Sequence, residues 1–411
     1  MIETYKSRVS AIAGHLKHWL VTFLLFATPR RPYMAIFGYP DTEGNATEMV
    51  RASIARYRGR IYLLAENPAV AREVLKAAGI DEPSNLTVLP HRSIAALFRF
   101  VTAEVSMFTH GVFGAPRRVP RKTLVNLWHG GGIKAGLMSD HRGRPTVHSD
   151  YLLAATRRQG LIMAKHCRLP DAGLLLTGNP RVDQFEHYDF ARIAQLGIDP
   201  DSPFVLWMPT FRRSTRQATQ AGTDVGSGKA QAVNSFAQTV VTELSKFGIQ
   251  TVVKPHPSDA EHHAIDGAII VTNETLLQHK VLLYNLIGAS SGLLTDYSSV
   301  WIDYLLLDRP IAFLVPDEES YKTQRGFEPA DALDWLPGPR INSTADILGF
   351  AEDVESKGAL TARRRKEVAE HIGLVAASHV ADRVLDELAS HGVFSSALST
   401  ASPPTNRGSL P

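Results

Sequence analysis

Residues Ile287 to Pro316 read IGASSGLLTDYSSVWIDYLLLDRPIAFLVP, and their pattern decides the fold. Gly292-Leu293-Leu294-Thr295 is a short apolar run bounded by turn signals, as a buried strand requires. Asp296-Tyr297 interrupts it, and Ser298-Ser299 opens a helical run from Val300 to Leu307. Aspartate or serine ahead of an apolar-periodic segment is an N-cap signal. Ile311 to Val315 follows Pro310 as a second buried strand. The whole is a strand–turn–helix–strand unit of a parallel sheet. Its turn offers backbone N–H groups, a helix dipole and two hydroxyls to an anion, and we read it as a phosphate site.

The same style extends outward. The second half has further strand candidates at Phe204–Met208, Thr251–Lys254 and Ala268–Val271. Its helices are expected at Val233–Lys246, at Leu276–Ile287 and as one long element from about Leu360 to Ala389. In the first half, strands are expected at Met34–Gly38, Arg60–Ala65, Leu86–Leu89, Ser106–Thr109, Leu124–Trp128, Tyr151–Ala155 and Leu174–Thr177. Helices at Ala46–Tyr57, Ala69–Ala78, Ser93–Ala103 and Arg157–His166 intervene. Such alternation predicts doubly wound parallel sheets with helices on both faces. A chain of 411 residues has room for two such domains. The pattern divides it into an N-terminal amphipathic helix (1–28), a first domain (29–195), a second (203–392) and a disordered Ser/Pro/Thr-rich tail (393–411). Ser214 to Asn234 is a long polar loop, either a mobile flap or a disordered insertion.

Composition excludes some classes. A formal charge of +3 with scattered arginines argues against nucleic-acid binding. The single cysteine, Cys167, forms no internal disulfide and fits a reducing compartment. No Cys/His spacing suggests zinc, and no cofactor or metal is expected. At the N-terminus, Ile2, Tyr5, Val9, Ile12, Leu16, Trp19, Phe23 and Phe26 form a helical stripe, with Lys6, Arg8, His15, Lys17 and His18 off it. The run Trp19 to Ala27 is too short to span a bilayer. Two readings fit: a helix lying in a membrane surface, or one packed on its own domain or a second subunit.

Polar groups gather at strand ends, where open parallel sheets bind ligands. They include Thr210, Arg212, Lys254, His256, Asp296, Ser298 and Ser299, with Arg325 in a loop. Guanidinium forks, imidazole and hydroxyls suit a pyrophosphate. In the first half, His129 ends a buried strand and precedes Gly130-Gly131-Gly132 and Lys134, which lets a ligand approach the backbone. His129 is a candidate general base. His110 also ends a strand, and Arg181 either reaches the cleft or pairs with Asp183. Asp296 and Asp303 can orient neighbouring groups.

In that order NLWHGGGIK, GNPRVD, PTFRR, KPHP, LLTDYSSVWIDY and RGF resemble the CDP-glycerol glycerophosphotransferases, the teichoic-acid primases and polymerases of bacterial cell-wall synthesis. The resemblance runs from roughly Phe108 to Phe327. It implies a GT-B fold, two Rossmann-like domains facing a cleft, with the nucleotide donor on the second. It implies His129 and His256 as catalytic histidines, His129 acting on the acceptor hydroxyl. Arg212, His256, Ser298, Ser299 and Arg325 would hold the donor diphosphate, supported by Gly130, Lys134, Arg181, Thr210, Lys254, Asp296 and Asp303.

The implied reaction moves glycerol or ribitol phosphate from a CDP-activated donor to a lipid-linked or polymeric hydroxyl, in cell-wall or capsule polymer synthesis. A cytoplasmic enzyme peripheral to the inner membrane face follows, docked through residues 1–28 and able to form a homo-oligomer. Gly131-Gly132 and Val182 depart from the family's usual Thr-Pro and Asn, which leaves the acceptor less defined than the donor. A nucleotide-sugar glycosyltransferase and a non-catalytic polyanion- or membrane-binding module are the alternatives.

Overall fold

In this computed structural model, the described residues are 16–130, 133–135, 138–139, 144–209, 227–255, 265–315, 318–324, 326–376, 378–395 and 398–399. The first sheet contains β1 (Arg31–Phe37), β2 (Arg60–Ala65), β3 (Leu86–Pro90), β4 (Ala103–Phe108), β5 (Thr123–Asn126), β6 (Tyr151–Leu153) and β7 (Leu174–Leu175). All neighbours are parallel, in the order β3-β2-β1-β4-β5-β6-β7. The second sheet contains β8 (Phe204–Met208), β9 (Gln250–Val253), β10 (Ala268–Ile270), β11 (Gly292–Thr295) and β12 (Ile311–Phe313), in the order β10-β9-β8-β11-β12. It is parallel throughout as well. Every residue of β11 is buried, because helices cover both faces and neither side meets water.

The helices are α1 (residues 16–27), α2 (Gly44–Arg56), α3 (Pro68–Ala77), α4 (Ile94–Thr102), α5 (Arg157–Cys167), α6 (Phe190–Ala194), α7 (Ser227–Lys246), α8 (Asn273–Gln278), α9 (Leu283–Ala289), α10 (Val300–Tyr304), α11 (Glu318–Gln324), α12 (Thr344–Glu355), α13 (Ala362–Ile372) and α14 (Val380–Ser390). Strand order reverses between β1 and β4 in one sheet and between β8 and β11 in the other. Ligand crevices form at such switch points, outside the carboxyl ends of the strands.

Several expectations need correction. The helix expected over Leu276–Ile287 is two, α8 and α9, because Lys280 turns left-handed (φ 54) between them. The long helix from Leu360 breaks at Gly373, whose φ of 63 closes α13 with a left-handed cap. Helix α7 begins at Ser227, inside the segment read as loop; residues 214–226 lie outside the described set. Helices α11 and α12 were not anticipated. Nor is all of the tail detached: Leu398 packs on the core, and the Ser399 N–H donates to the Arg56 carbonyl at 2.9 Å.

Helix α14, expected with the second domain, returns to the first. Asp183 Oδ1 and Oδ2 accept from the Val380 and Ala381 N–H groups at 2.8 and 2.9 Å. Arg56 of α2 meets Asp382 and Asp386 on the same helix. The two halves also meet where the 3₁₀ segment Pro180–Glu186 packs on α9, the Asn285 amide donating to the Gln184 carbonyl at 2.9 Å. A Cβ on Gly288 would lie 2.1 Å from the Phe185 carbonyl oxygen. Gly288→Ala must push backbone apart at this seam and is expected to cost about 1–3 kcal/mol in urea unfolding. Wild-type stability in that variant would mean the seam is loose.

Helix α1 lies on the first domain through Val21 and Leu25, which join the cluster under β1 and α4. The stripe seen in the sequence points the other way: Leu16, Trp19, Phe23 and Phe26 are 67%, 54%, 63% and 69% exposed. Residues 1–15, with the rest of that stripe, lie outside the described set. Among the described residues, no helix is long and apolar enough to cross a membrane.

Candidate active site

Both switch points open into one cavity of about 570 Å³ between the sheets. The first sheet lines it with Tyr39, Glu43, His110, His129 and Arg181, and the second with Met208, Pro209, Lys254, Pro255, Tyr284 and Ser298. The residues following β1, β4 and β5 thus face those following β8, β9 and β11.

His129 stands on the first-domain wall. Its Nδ1 lies 3.0 Å from the Thr109 carbonyl oxygen, an acceptor only, so Nδ1 carries the proton and Nε2 the lone pair. The His110 ring stacks on it at 3.6 Å and 9°, and Trp128 flanks it at 4.3 Å. Burial pushes His129 down to about 4, with Arg181 adding to the shift against the opposing Thr109 bond. Burial, then the charge His129 would carry, pushes His110 down to about 3. Both imidazoles are neutral at physiological pH. An anionic ligand would raise these values and make Nε2 a better proton acceptor.

The loop bearing His129 is clamped from behind. Asn45 Nδ2 donates to the Trp128 carbonyl at 2.8 Å, and the Arg181 guanidinium donates to the His129 carbonyl at 2.6 Å. Arg181 does not pair with Asp183. It pairs with Asp303 of α10, donating from Nε at 2.9 Å and from its second terminal nitrogen at 2.6 Å. Asp303 also accepts from Asn179 Nδ2 at 2.7 Å and from the Tyr284 hydroxyl at 2.6 Å. Burial opposes the charge on Arg181, but Asp303, Tyr284 and Glu43 more than offset it and raise its pKa. Asp303 is therefore a buried anchor behind His129.

Glu43 was missed in the sequence. Its Oε2 caps α2 by accepting from the Ala46 N–H at 3.0 Å. Its Oε1, 3.9 Å from Arg181, has no hydrogen-bond partner among the described residues. Burial raises its pKa to about 7 from 4.5, against the opposing pull of Arg181. The folded state thus holds this proton more tightly than the unfolded one. That stabilisation is complete below about 4.5 and is lost as pH rises through about 7. Glu43→Gln should match wild type in acid and exceed it by about 1–3 kcal/mol above neutrality. Parallel stability–pH curves for the two proteins would refute this. The rule that found His129 would have found Glu43 had it been applied to the first strand, since Glu43 lies in the β1–α2 turn. Tyr284 left no such signal.

Backbone pairing ties the two motif loops together across the cleft. The Glu328 N–H donates to the Ile133 carbonyl at 2.9 Å, the Ala135 N–H to that of Gly326 at 3.3 Å, and Lys134 bridges Phe327. Gly130 lies against Ser299, where a Cβ would come 2.9 Å from the serine Oγ. The expected N-cap is weak: Ser299 makes no side-chain cap, and Ser298 Oγ accepts from the Val300 N–H at 3.4 Å. Helix α10 has only five residues, so little dipole aims at the cleft and charge stabilisation falls to side chains. Asp296 is buried. Thr210, Arg212, His256 and Arg325, with Gly131 and Gly132, lie outside the described residues.

Two doubly wound parallel sheets facing each other across a polar cleft define a GT-B-type transferase architecture. The family model for CDP-Glycerol:Poly(glycerophosphate) glycerophosphotransferase matches residues 53–390, and the chain belongs to that family. The teichoic acid ribitol-phosphate primase of Bacillus spizizenii is 25% identical over 284 residues, 64% of this chain and 68% of that protein. The teichoic acid glycerol-phosphate primase of Bacillus subtilis is 25% identical over 237 residues, 54% of this chain and 58% of that one. In fold, the wall teichoic acid polymerase TagF superposes with a TM-score of 0.68 at 16% identity, covering 96% of this chain and 98% of that structure.

Proposed function

We propose that the cleft moves a polyol phosphate from a CDP-activated donor to an acceptor hydroxyl, releasing CMP. The observation that carries this reading is the pairing of walls: a neutral imidazole on one side and a bare cation on the other. Lys254 is buried, and burial lowers its pKa to about 8. Its ammonium donates to the Pro255 carbonyl at 3.0 Å and has no carboxylate partner among the described residues. An anionic donor would supply one, with the Ser298 hydroxyl beside it.

The acceptor hydroxyl loses its proton to His129 Nε2 as its oxygen attacks the distal phosphorus. The new P–O bond forms as the bond to the bridging oxygen breaks, and CMP leaves with that electron pair. Lys254 offsets the charge gathering on CMP, a task the resemblance also gives to Arg212, His256 and Arg325. Glycerol and ribitol phosphate are both fitting transferred groups, and a lipid-linked or polymeric hydroxyl is the acceptor class. The exposed apolar stripe of α1 supports peripheral attachment to the cytoplasmic face of a membrane.

The test is CMP release by purified protein with CDP-glycerol or CDP-ribitol and a soluble polyol-phosphate acceptor analogue. Acceptor-dependent release supports the reading. Protein that binds CDP but stays silent with both donors would point to another nucleotide-activated substrate. No CDP binding would remove the proposed pocket.

A further inference from the structure

His110 follows β4 as His129 follows β5, and it lines the same cleft, yet a proton transfer to His129 alone leaves it no task. Thr109, which anchors both rings, is fully buried. Its carbonyl accepts from His129 Nδ1 at 3.0 Å, and its hydroxyl oxygen lies 3.3 Å from His110 Nδ1. That oxygen already accepts from the Tyr39 N–H at 3.1 Å. A buried hydroxyl also has a proton to place, and leaving it unplaced is costly. Among the described residues, His110 Nδ1 is the acceptor that it meets. The Thr109 hydroxyl therefore donates to His110 Nδ1, and the proton of the neutral His110 ring sits on Nε2.

One threonine thus sets opposite tautomers on two stacked imidazoles. His129 presents a lone pair at Nε2, and His110 presents an N–H there. With both Nδ1 atoms tied to Thr109, both Nε2 atoms face away from it, on rings 3.6 Å apart and 9° from parallel. A proton acceptor and a proton donor stand side by side on one wall of the cleft. The donor is held neutral: burial, and then the charge that His129 takes on, push His110 down to about 3. A second imidazolium would repel the one forming on His129, whereas a neutral ring does not. A neutral imidazole still donates a hydrogen bond to an oxygen that is gathering charge.

We propose that His110 is a second catalytic residue, its Nε2–H donating to a non-bridging oxygen of the phosphate under transfer while His129 Nε2 takes the acceptor's proton. The inference rests on the reaction proposed above and adds a donor for the distal phosphate from the first-domain wall. Lys254 and Ser298 stand on the opposite wall. The attacking oxygen and the non-bridging oxygens meet at one phosphorus, so adjacent rings suit them. A fixed donor contributes most where charge develops, which is on the phosphate and not on the neutral acceptor hydroxyls.

The experiment pairs kinetics with ring-nitrogen NMR on full-length protein carrying isotope-labelled histidine. Kinetics compare wild type, His110→Phe and His110→Gln. Phenylalanine keeps a flat ring against His129 but has no donor; glutamine loses the ring but returns an N–H near the place of Nε2. For CMP release, kcat should fall on the order of 10²-fold in His110→Phe, and His110→Gln should be about tenfold faster than that or better. Acceptor KM should stay near wild type in both, as should affinity for CMP, which lacks the distal phosphate. The His110 resonances, assigned by their loss in His110→Gln, should report Nε2–H. Thr109→Val should move them toward Nδ1–H, and Thr109→Ser should not. If His110→Phe turns over within a few-fold of wild type, or faster than His110→Gln, His110 is a stacking partner only. A raised acceptor KM at unchanged kcat would assign it to acceptor binding instead. Either result, or Nδ1–H on His110 in the wild type, overturns the proposal. A wild type that releases no CMP from either CDP-activated donor removes the reaction and this role with it, although the opposite tautomers would still stand in the spectra. Nδ1–H on His110 in an active enzyme removes this role alone.

Discussion

His129→Ala is expected to lower turnover by about 10²- to 10⁴-fold while CDP binding stays close to wild type. The asymmetry follows from where the imidazole stands. His129 belongs to the first-domain wall, bonded to Thr109 and stacked on His110, whereas Lys254 and Ser298 line the opposite wall. Removing the ring takes away the proton acceptor and leaves the donor's wall intact. His129→Asn is the sharper probe, because its amide can still bond the Thr109 carbonyl but has no basic nitrogen. It should be as inactive as the alanine variant. Rapid-quench CMP release together with calorimetric CDP titration measures both halves. If either variant turns over within a few-fold of wild type, His129 is not the base. The ring's depressed pKa, about 4, further predicts that kcat/KM keeps its dependence on neutral imidazole well into the acid range. Any acid limb near neutrality should therefore trace to another group, and Glu43, near 7, is the candidate in the same cleft.

The parts legible in the sequence were those fixed by local burial. Gly292–Thr295 was read to the residue because a strand covered on both faces must be apolar throughout and must stop where polar turn residues begin. His129 was legible as a residue just past another buried strand, β5, and there it lines the cleft. Long-range choices were not legible. Arg181 was read as reaching the cleft or pairing with Asp183, two residues away; it lines the cleft, and its partner Asp303 is 122 residues distant. Asp183 turned instead to the N-terminus of α14, 197 residues on. The unbroken helices drawn through Lys280 and Gly373 failed for a related reason: apolar spacing continues across a left-handed residue, so periodicity does not register the break. For α1, periodicity established a stripe but not whether the domain or the solvent takes it. The domain took Val21 and Leu25.

Asp303→Ala should destabilise the protein by about 3–5 kcal/mol, the cost of stranding a buried charge. Its carboxylate gathers three donor residues from two segments: Asn179 and Arg181, which follow β7, and Tyr284 on α9. Without it Arg181 keeps its charge in a buried site, with only Glu43 nearby at 3.9 Å and the His129 carbonyl to accept. Arg181 holds that carbonyl in place, so turnover should fall as well, even in the folded fraction. A double variant, Arg181→Met/Asp303→Leu, separates the two effects. With both charges gone and the space filled by apolar groups, stability should recover by several kcal/mol relative to Asp303→Ala, as buried pairs replaced together often do. Turnover should not recover, since the guanidinium that holds the His129 carbonyl is then gone. Urea denaturation read alongside CMP release distinguishes the cases. A loss below about 1 kcal/mol for Asp303→Ala would mean the pair is solvated and weak, like a surface bridge. Recovery of both stability and turnover in the double variant would mean the clamp on His129 is dispensable. Recovery of stability alone would mark Asp303 and Arg181 as groups retained to position the base, at a cost to the stability of the fold that carries it.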